Sequence, residues 1–543
     1  SVSATIRHST IRPLRFTSTK PPPVLNLYRR TLRRAKMAFR THLCWFLYAL
    51  IRNPRVIGLI VFISGSNALM NGVRAQVPAD VNQTSTAVSV SDTLSLHYEL
   101  STTSQAALHG TTPLWQYANT YGLREANSRF NSTTGLQVRM LRRAWGPVEV
   151  NAGAGLTSRL SDGNNTAHLS ELYGAMQYGA VRLRMGRFRH TIGGNSDALS
   201  LGSMVVSRNA TSIPKVEFST PSFVVLPFSD GHLQFRVYWA EGQLGKNRYI
   251  SRARLHQKSL HVRAVGDRFS LTAGVTQNLQ WAGRNRPSSL KQYRDILFSV
   301  TGGTGENTTA AYDVAASIDL NAWQIDAYRQ FYLEDWVGLL FRSPWDGLWG
   351  IDIERSGRHW VSDVVYEFMN TIQQDALPGL PEGRAGYYTH STYRSGWTYK
   401  GNVLGNPLIR NPQFRSTSYA LDEQPNTMVV AHHLGLRGQP TARTKYEARF
   451  TYSRNYGICQ DQIISGEGAC SIGSGDEVPS DLERIPRSQL RQDQYATHLD
   501  VRYLLSETYG MRLRSSVAVD WGEFDGTQIG VMLGLQWDGT VSL

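Results

Sequence analysis

Between residues 387 and 406 the chain carries Tyr387, Tyr388, Tyr393, Arg394, Trp397, Tyr399 and Asn406 in a stretch rich in Gly, Ser and Thr. Aromatic rings offer flat apolar faces, and Arg and Asn offer planar hydrogen-bonding groups. A sugar ring, with one apolar face and a rim of hydroxyls, needs both. A second reading is architectural. Trp and Tyr also form the girdles of a membrane barrel, and Arg pairs with carboxylates inside one.

Other constellations are weaker. Glu334 and Asp335 could serve glycoside hydrolysis as paired carboxylates, but neighbours in a strand face opposite ways and could not flank one bond. Asp346-Gly347 reads as turn chemistry. His432 and His433 are adjacent, so in a strand they cannot chelate one metal together. Cys459 and Cys470, with ten residues between them in a Gly-rich segment, are expected to form one loop disulfide if the chain is exported. No metal site, cofactor or catalytic residue is expected.

The elements that must position these residues announce themselves by a period of two. Residues 233–239 read Leu-Gln-Phe-Arg-Val-Tyr-Trp, and the same alternation returns at 181–189, 323–328, 446–452, 511–519 and 529–535. Such strands have one oily and one wet face. Arg182, Arg184, Arg236, Arg449, Arg512 and Arg514 sit on the wet side, where a dry sandwich core would not accept them unpaired. A closed barrel with lipid outside and water inside accepts both faces. Counted through to the last segment, the strands number about eighteen, joined by turns in the manner of an outer-membrane protein. The fold class is therefore all-β, a transmembrane antiparallel barrel. Short joins such as 179–180 and 321–322 belong to one rim, and the long stretches 371–410 and 457–491 to the other. Residues 114–121 and 197–207 alternate poorly, and are expected to be short helical segments plugging or capping the lumen.

The formal charge of +15 would suggest a nucleic-acid partner, yet residues 1–75 hold 13 of the 57 Lys and Arg and none of the 42 Asp and Glu. The remainder is nearly neutral, which argues against nucleic acid. A basic run (Arg29 to Arg40), an apolar stretch at 56–64 and a small residue at Ala75 follow the order of a secretory signal. Residues 1–75 are read as that signal region, with cleavage after Ala75 and Ala68 as second choice. Met37 offers a start that would make 1–36 an over-extended gene model. Residues 76–90 would form an N-terminal mature segment, and 91–543 the barrel with its plug and loops. No apolar run reaches the ~20 residues of a spanning helix.

Several segments carry a resemblance to a known family. They include Leu199-Ser-Leu-Gly-Ser-Met204, Ser207-Arg-Asn-Ala-Thr-Ser-Ile-Pro-Lys-Val216 and Pro227-Phe-Ser-Asp-Gly-His-Leu-Gln-Phe-Arg236. The most distinctive is Tyr387-Tyr-Thr-His-Ser-Thr-Tyr-Arg-Ser-Gly-Trp-Thr-Tyr-Lys-Gly401, continued by Leu404-Gly-Asn-Pro-Leu408. In order and spacing across nearly all of 90–540 the chain resembles the Wzi capsule assembly proteins, in the version found in Bacteroidetes-like bacteria. The resemblance implies a plugged outer-membrane barrel of eighteen strands. It also implies a lectin that binds capsular polysaccharide and holds the capsule on the cell, neither an enzyme nor the export channel. Outer-membrane lipid and the capsule export apparatus would be its other partners. Two departures stand out: the cysteine-bearing loop 457–491, and a C-terminus without the usual aromatic residue. The alternatives are a plugged or sugar-selective porin and, further off, a barrel hydrolase.

Overall fold

The computed structural model describes residues 94–542, apart from 146–147, 163–164, 194–197, 287, 299–305, 335–342, 375–385, 411–425, 458–461, 464–483 and 486–490. The leader, Asp335, Cys459 and Cys470 lie outside the described residues.

Eighteen antiparallel strands close into a barrel among the described residues. They are β1 Ser95–His109, β2 Phe130–Trp145, β3 Val148–Ser161, β4 Thr166–Tyr178, β5 Val181–Arg187 and β6 Pro214–Ser219, which resumes at Val224–Val225. Then come β7 Leu233–Gln243, β8 Arg254–Val265, β9 Phe269–Trp281, β10 Asn307–Asp319, β11 Trp323–Leu333 and β12 Gly347–Arg355. The last six are β13 Asp363–Asn370, β14 Val429–Gly438, β15 Thr444–Asn455, β16 Gln492–Ser506, β17 Met511–Gly522 and β18 Gln528–Ser542. Each strand pairs with its sequence neighbour, and β1 pairs with β18 from Ser95 opposite Ser542 to His109 opposite Ile529. That last ladder abolishes the sheet edges, as lipid requires of any sheet that crosses it.

Alternation decides which face is which. On β5 Val181, Leu183 and Met185 are exposed on the outer face, while Arg182 and Arg184 turn inward to Glu217. On β17 Val517 and Trp521 face out and Ser516, Ala518 and Asp520 are buried inside. Near one rim the outer face carries a row of stacked rings, with Tyr452 to Tyr495 at 4.9 Å and Tyr495 to Trp521 at 5.2 Å between centroids. This is a membrane-interface girdle.

The longest connections all lie on one rim, which also has two short ones, 162–165 and 523–527. The opposite rim has turns of seven residues or fewer, from the two-residue join 179–180, where Gly179 takes φ +55°, to 226–232 and 356–362. Both barrel ends, Ser95 and Ser542, lie there. The other rim carries the long connections, including 110–129, 188–213, 282–306, 371–428 and 456–491. Short turns face the periplasm and long loops the outside in such barrels, which orients the molecule.

The described parts of three outer connections, 110–129, 188–213 and 371–428, fold back into the lumen as a plug. The expectation of helices there holds only for a four-residue piece, α1 Leu114–Tyr117. The described part of 197–207 is irregular, not helical, because its backbone groups bond to the barrel wall instead of to one another. The second helix, α2 Leu290–Phe298, lies in the outer connection after β9. Several strands also run longer than apolar alternation suggests. β1 and β2 extend through a ladder of hydroxyls, with Thr103 Oγ1 to Thr133 Oγ1 at 2.6 Å and Ser104 Oγ to Ser132 Oγ at 3.1 Å.

Candidate functional site

The aromatic segment 386–410 is the centre of the plug. Tyr387, Tyr388 and Trp397 are wholly buried, Tyr393 and Tyr399 nearly so, and Asn406 is fully enclosed. Most of their polar atoms with a named partner are turned to neighbouring backbone. The Trp397 indole N–H donates to the Val205 carbonyl at 2.6 Å, and the Tyr388 hydroxyl donates to that of Met204. Asn406 Nδ2 donates to the Gly202 carbonyl at 3.0 Å, and the Tyr393 hydroxyl to that of Ala282 at 3.1 Å. Six of the seven residues that sequence chemistry offers for a sugar are thus packed into the join between plug segments. A buried indole with its N–H satisfied stabilises this join by its area and its bond together.

Arg394 is the exception. It is half-buried at the outer surface, with its guanidinium 5.1 Å from the exposed ring of Tyr249. Lys400 is exposed on the same connection, in the field of Arg187, and burial followed by that neighbour lowers its pKa. His168, Arg159 and Arg187 share the positive field around Lys400. The outer face of the plug therefore presents cations beside an aromatic ring. Tyr249 carried no periodic signal in the sequence, because it lies in an irregular connection.

The wall holds the plug with carboxylates and amides that alternation alone did not single out. Glu367 on β13 accepts from Ser200 Oγ at 2.7 Å, the Leu201 amide at 2.5 Å and the Tyr328 hydroxyl at 2.5 Å. Gln330 on β11 accepts from the Met204 amide at 2.6 Å. His433 faces inward and contacts the Leu199 carbonyl at 2.6 Å, while His432 faces outward against Tyr366 and Tyr452. The two histidines do not converge. Of the carboxylates named from the sequence, Glu334 and Asp346 are likewise committed, while Asp335 lies outside the described residues. Glu334 accepts from the hydroxyl of Tyr332 and the amide of Tyr388, and Asp346 accepts from the amides of Gln373 and Gln374 and from the Tyr387 hydroxyl. Gly347, just after Asp346, sits at φ +119°, where a Cβ would come within 2.0 Å of the Gln330 carbonyl oxygen. Only glycine fits there.

The inward arginines form a second layer. Arg182 and Arg184 reach Glu217 at 2.8 and 2.6 Å. Arg449 reaches Glu447 at 2.8 Å and the Ala198 carbonyl at 2.9 Å. Arg514 pairs with Asp500 at 2.7 Å, Arg512 with Asp538, and Arg236 lies over the ring of Phe223 at 4.9 Å. Among the described residues no cluster of three or more His, Cys, Asp or Glu could hold a metal.

A barrel closed by inward-folded outer loops has a counterpart among sequence families. The model for "Capsule assembly protein Wzi" matches residues 86–413, more than half of the chain. The chain belongs to the Wzi capsule assembly family. As a Wzi-family barrel it resides in the bacterial outer membrane. Its fold is similar to that of Wzi from Escherichia coli, a carbohydrate-binding β-barrel involved in group 1 capsule assembly. The identity is 15%, over 81% of this chain and 83% of that one, with a TM-score of 0.51. OccK5 (OpdH) of Pseudomonas aeruginosa aligns at 10% identity over 83% of this chain and 98% of its own, with a TM-score of 0.43. No curated protein sequence matches the Wzi-family chain.

Proposed function

We propose that this chain holds capsular polysaccharide at the cell surface by non-covalent, lectin-like binding. Membership of the Wzi family supports the reading, and so does the carbohydrate binding of the Escherichia coli protein whose fold it shares. The observation that carries it is the closed outer mouth, with Arg394 over Tyr249 and Lys400 beside Arg187. A flat ring beneath a guanidinium, on a face that carries further cations, is suited to a sugar face and to acidic substituents. Lipid is the partner of the apolar outer belt, and the capsule export apparatus is a further expected partner. The buried bonding of Glu334 to Tyr332 and Tyr388 speaks against a hydrolytic role for it, and the seated plug speaks against a porin.

Deleting the gene should release polysaccharide into the medium with total synthesis unchanged. The double substitution Arg394→Ala, Lys400→Glu should reduce retention while the barrel still assembles in the outer membrane. Retention equal to wild type in the deletion strain would overturn the function. Retention equal to wild type in the double variant alone would overturn the site.

A further inference from the structure

Beneath the plug, on the periplasmic side, lies a cavity of about 270 Å³. Its roof is the underside of the plug, with Arg124, Arg189 and Arg208. Its wall is the inner face of β1, β2 and β15 to β18, with Arg449, Arg502 and Arg514. Exposure of inward positions rises steadily toward that side. On β16 Ala496, His498 and Asp500 are buried and Arg502 is half-buried; on β1 Gln105 is buried, Thr103 and Ser101 half-buried and His97 exposed. Among the described residues the lower half of the lumen is therefore open to solvent, crossed at its rim only by turns of seven residues or fewer.

Positive charge exceeds negative around this space. Six guanidiniums meet the carboxylates of Glu99, Glu171, Glu447 and Asp500, and the last three are already engaged by Arg189, Arg449, Arg502 and Arg514. Arg124 forms no ion pair among the described residues. Its guanidinium donates to the Gln116 carbonyl at 3.0 Å. Burial beneath the plug holds its pKa down to about 9, with Arg514 adding to the fall and Asp500 opposing it. Its nearest carboxylate, Asp500, is already held by Arg502 and Arg514, so Arg124 is under-compensated, and a carboxylate arriving in bidentate geometry would relieve it. The rest of the lining is what sugar hydroxyls need: Ser101, Thr103, Asn119, Thr120, Gln137 and Gln536, with the rings of Trp115 and Tyr121 alongside. The volume lies just below the roughly 300–1,000 Å³ of ordinary ligand sites, room for a short saccharide.

From the under-compensated Arg124 in an arginine-rich, hydroxyl-lined cavity, we infer a second, inner binding site for a short saccharide bearing a carboxylate, reached from the periplasmic side. It rests on the polysaccharide reading above and adds two things to it: the sugar is acidic, and the protein contacts it on both sides of the plug.

The test uses the full chain purified in detergent and titrated by calorimetry with a disaccharide containing glucuronic acid, its neutral glucose counterpart, and inorganic phosphate. Binding of whole capsular polysaccharide is measured on the same samples. The acidic disaccharide should bind and the neutral one should not. Arg124→Gln should weaken it roughly ten- to hundredfold, the worth of one charge-assisted contact. Ser101→Asp, which adds a negative charge to the wall without removing an arginine, should do the same. Wild-type mobility on heating checks that both variants fold. Equal binding of the acidic and neutral sugars, or unaltered binding in both variants, would overturn the inner site. Phosphate binding as tight as the disaccharide would overturn its assignment to a sugar. If the polymer binds and the disaccharide does not, the inner site falls and the surface function stands. If neither binds, both fall.

Discussion

The Trp397 indole N–H donates to the Val205 carbonyl at 2.6 Å, and both residues are wholly buried. This bond joins two plug connections that are almost 200 residues apart in sequence, and neither residue takes part in the barrel ladder. Trp397→Phe keeps most of the ring but leaves the carbonyl unmet, at about 1–3 kcal/mol. Trp397→Ala also opens a cavity, for about 3–5 kcal/mol in all. The loss should fall on the plug, so both variants should assemble as barrels and show transient channel openings in planar bilayers, more often in the alanine variant. Silent membranes with both variants would mean the plug is held elsewhere.

Glu367 provides the wall's side of the same hold. Its carboxylate receives Ser200 Oγ, the Leu201 amide and the Tyr328 hydroxyl, bonds that are each stronger for its charge. Glu367→Ala should strand buried donors and free the segment around 198–206 from the wall. Limited proteolysis of whole cells, read by mass spectrometry, should then cut within that segment. Glu367→Gln, which keeps an acceptor oxygen, should be cut far less. Equal resistance of the alanine variant would show that Glu367 is not an anchor.

The barrel was legible because its signal is local. Leu183 between Arg182 and Arg184 already says which face meets lipid, and two-residue joins such as 179–180 say where strands turn. The plug was not legible, because its burial depends on distant partners. Nothing near Tyr388 in sequence reveals that its hydroxyl meets Met204 or that its amide meets Glu334. Sugar-like composition and plug-like composition are the same composition, aromatic and amide-rich, and only long-range contacts separate them. Arg394 and Lys400 remain at the outer surface, while the rest of the aromatic cluster is interior. The four-residue helix α1 is too short for a periodic signal, and the β1 and β2 extension is written in Ser and Thr instead of in apolar residues.

Inside the wall, Glu447 is met by Arg449 at 2.8 Å, Arg502 at 3.4 Å and Arg437 at 3.5 Å. Glu447→Ala would leave three guanidiniums around an empty centre. Removing one partner from a buried ionic group costs about 3–5 kcal/mol. The expected readout is a lower temperature for loss of the folded, fast-migrating form on gels. Arg294→Ala, which breaks the exposed pair with Asp295 on α2, should shift that temperature little, since such pairs contribute about 0–1 kcal/mol. Equal shifts would remove the case for a structural arginine cluster.

Acid should loosen the plug through His190. Its ring stacks on Tyr238 at 4.5 Å, in the field of Lys215, Glu217, Arg184 and Arg182. Removal from water lowers its pKa well below 6.5, the charge of Lys215 lowers it further, and Glu217 opposes both. A histidine whose folded pKa is depressed contributes stability that is complete above 6.5 and is lost as pH falls from there toward the folded value. Channel openings recorded while the bath is acidified should therefore begin below 6.5, where the unfolded ring gains its proton and the folded one resists it. His190→Phe keeps the stacking and removes the titration, so its openings should show a weaker dependence on acid. An identical acid response in that variant would assign the effect to carboxylates of the wall instead.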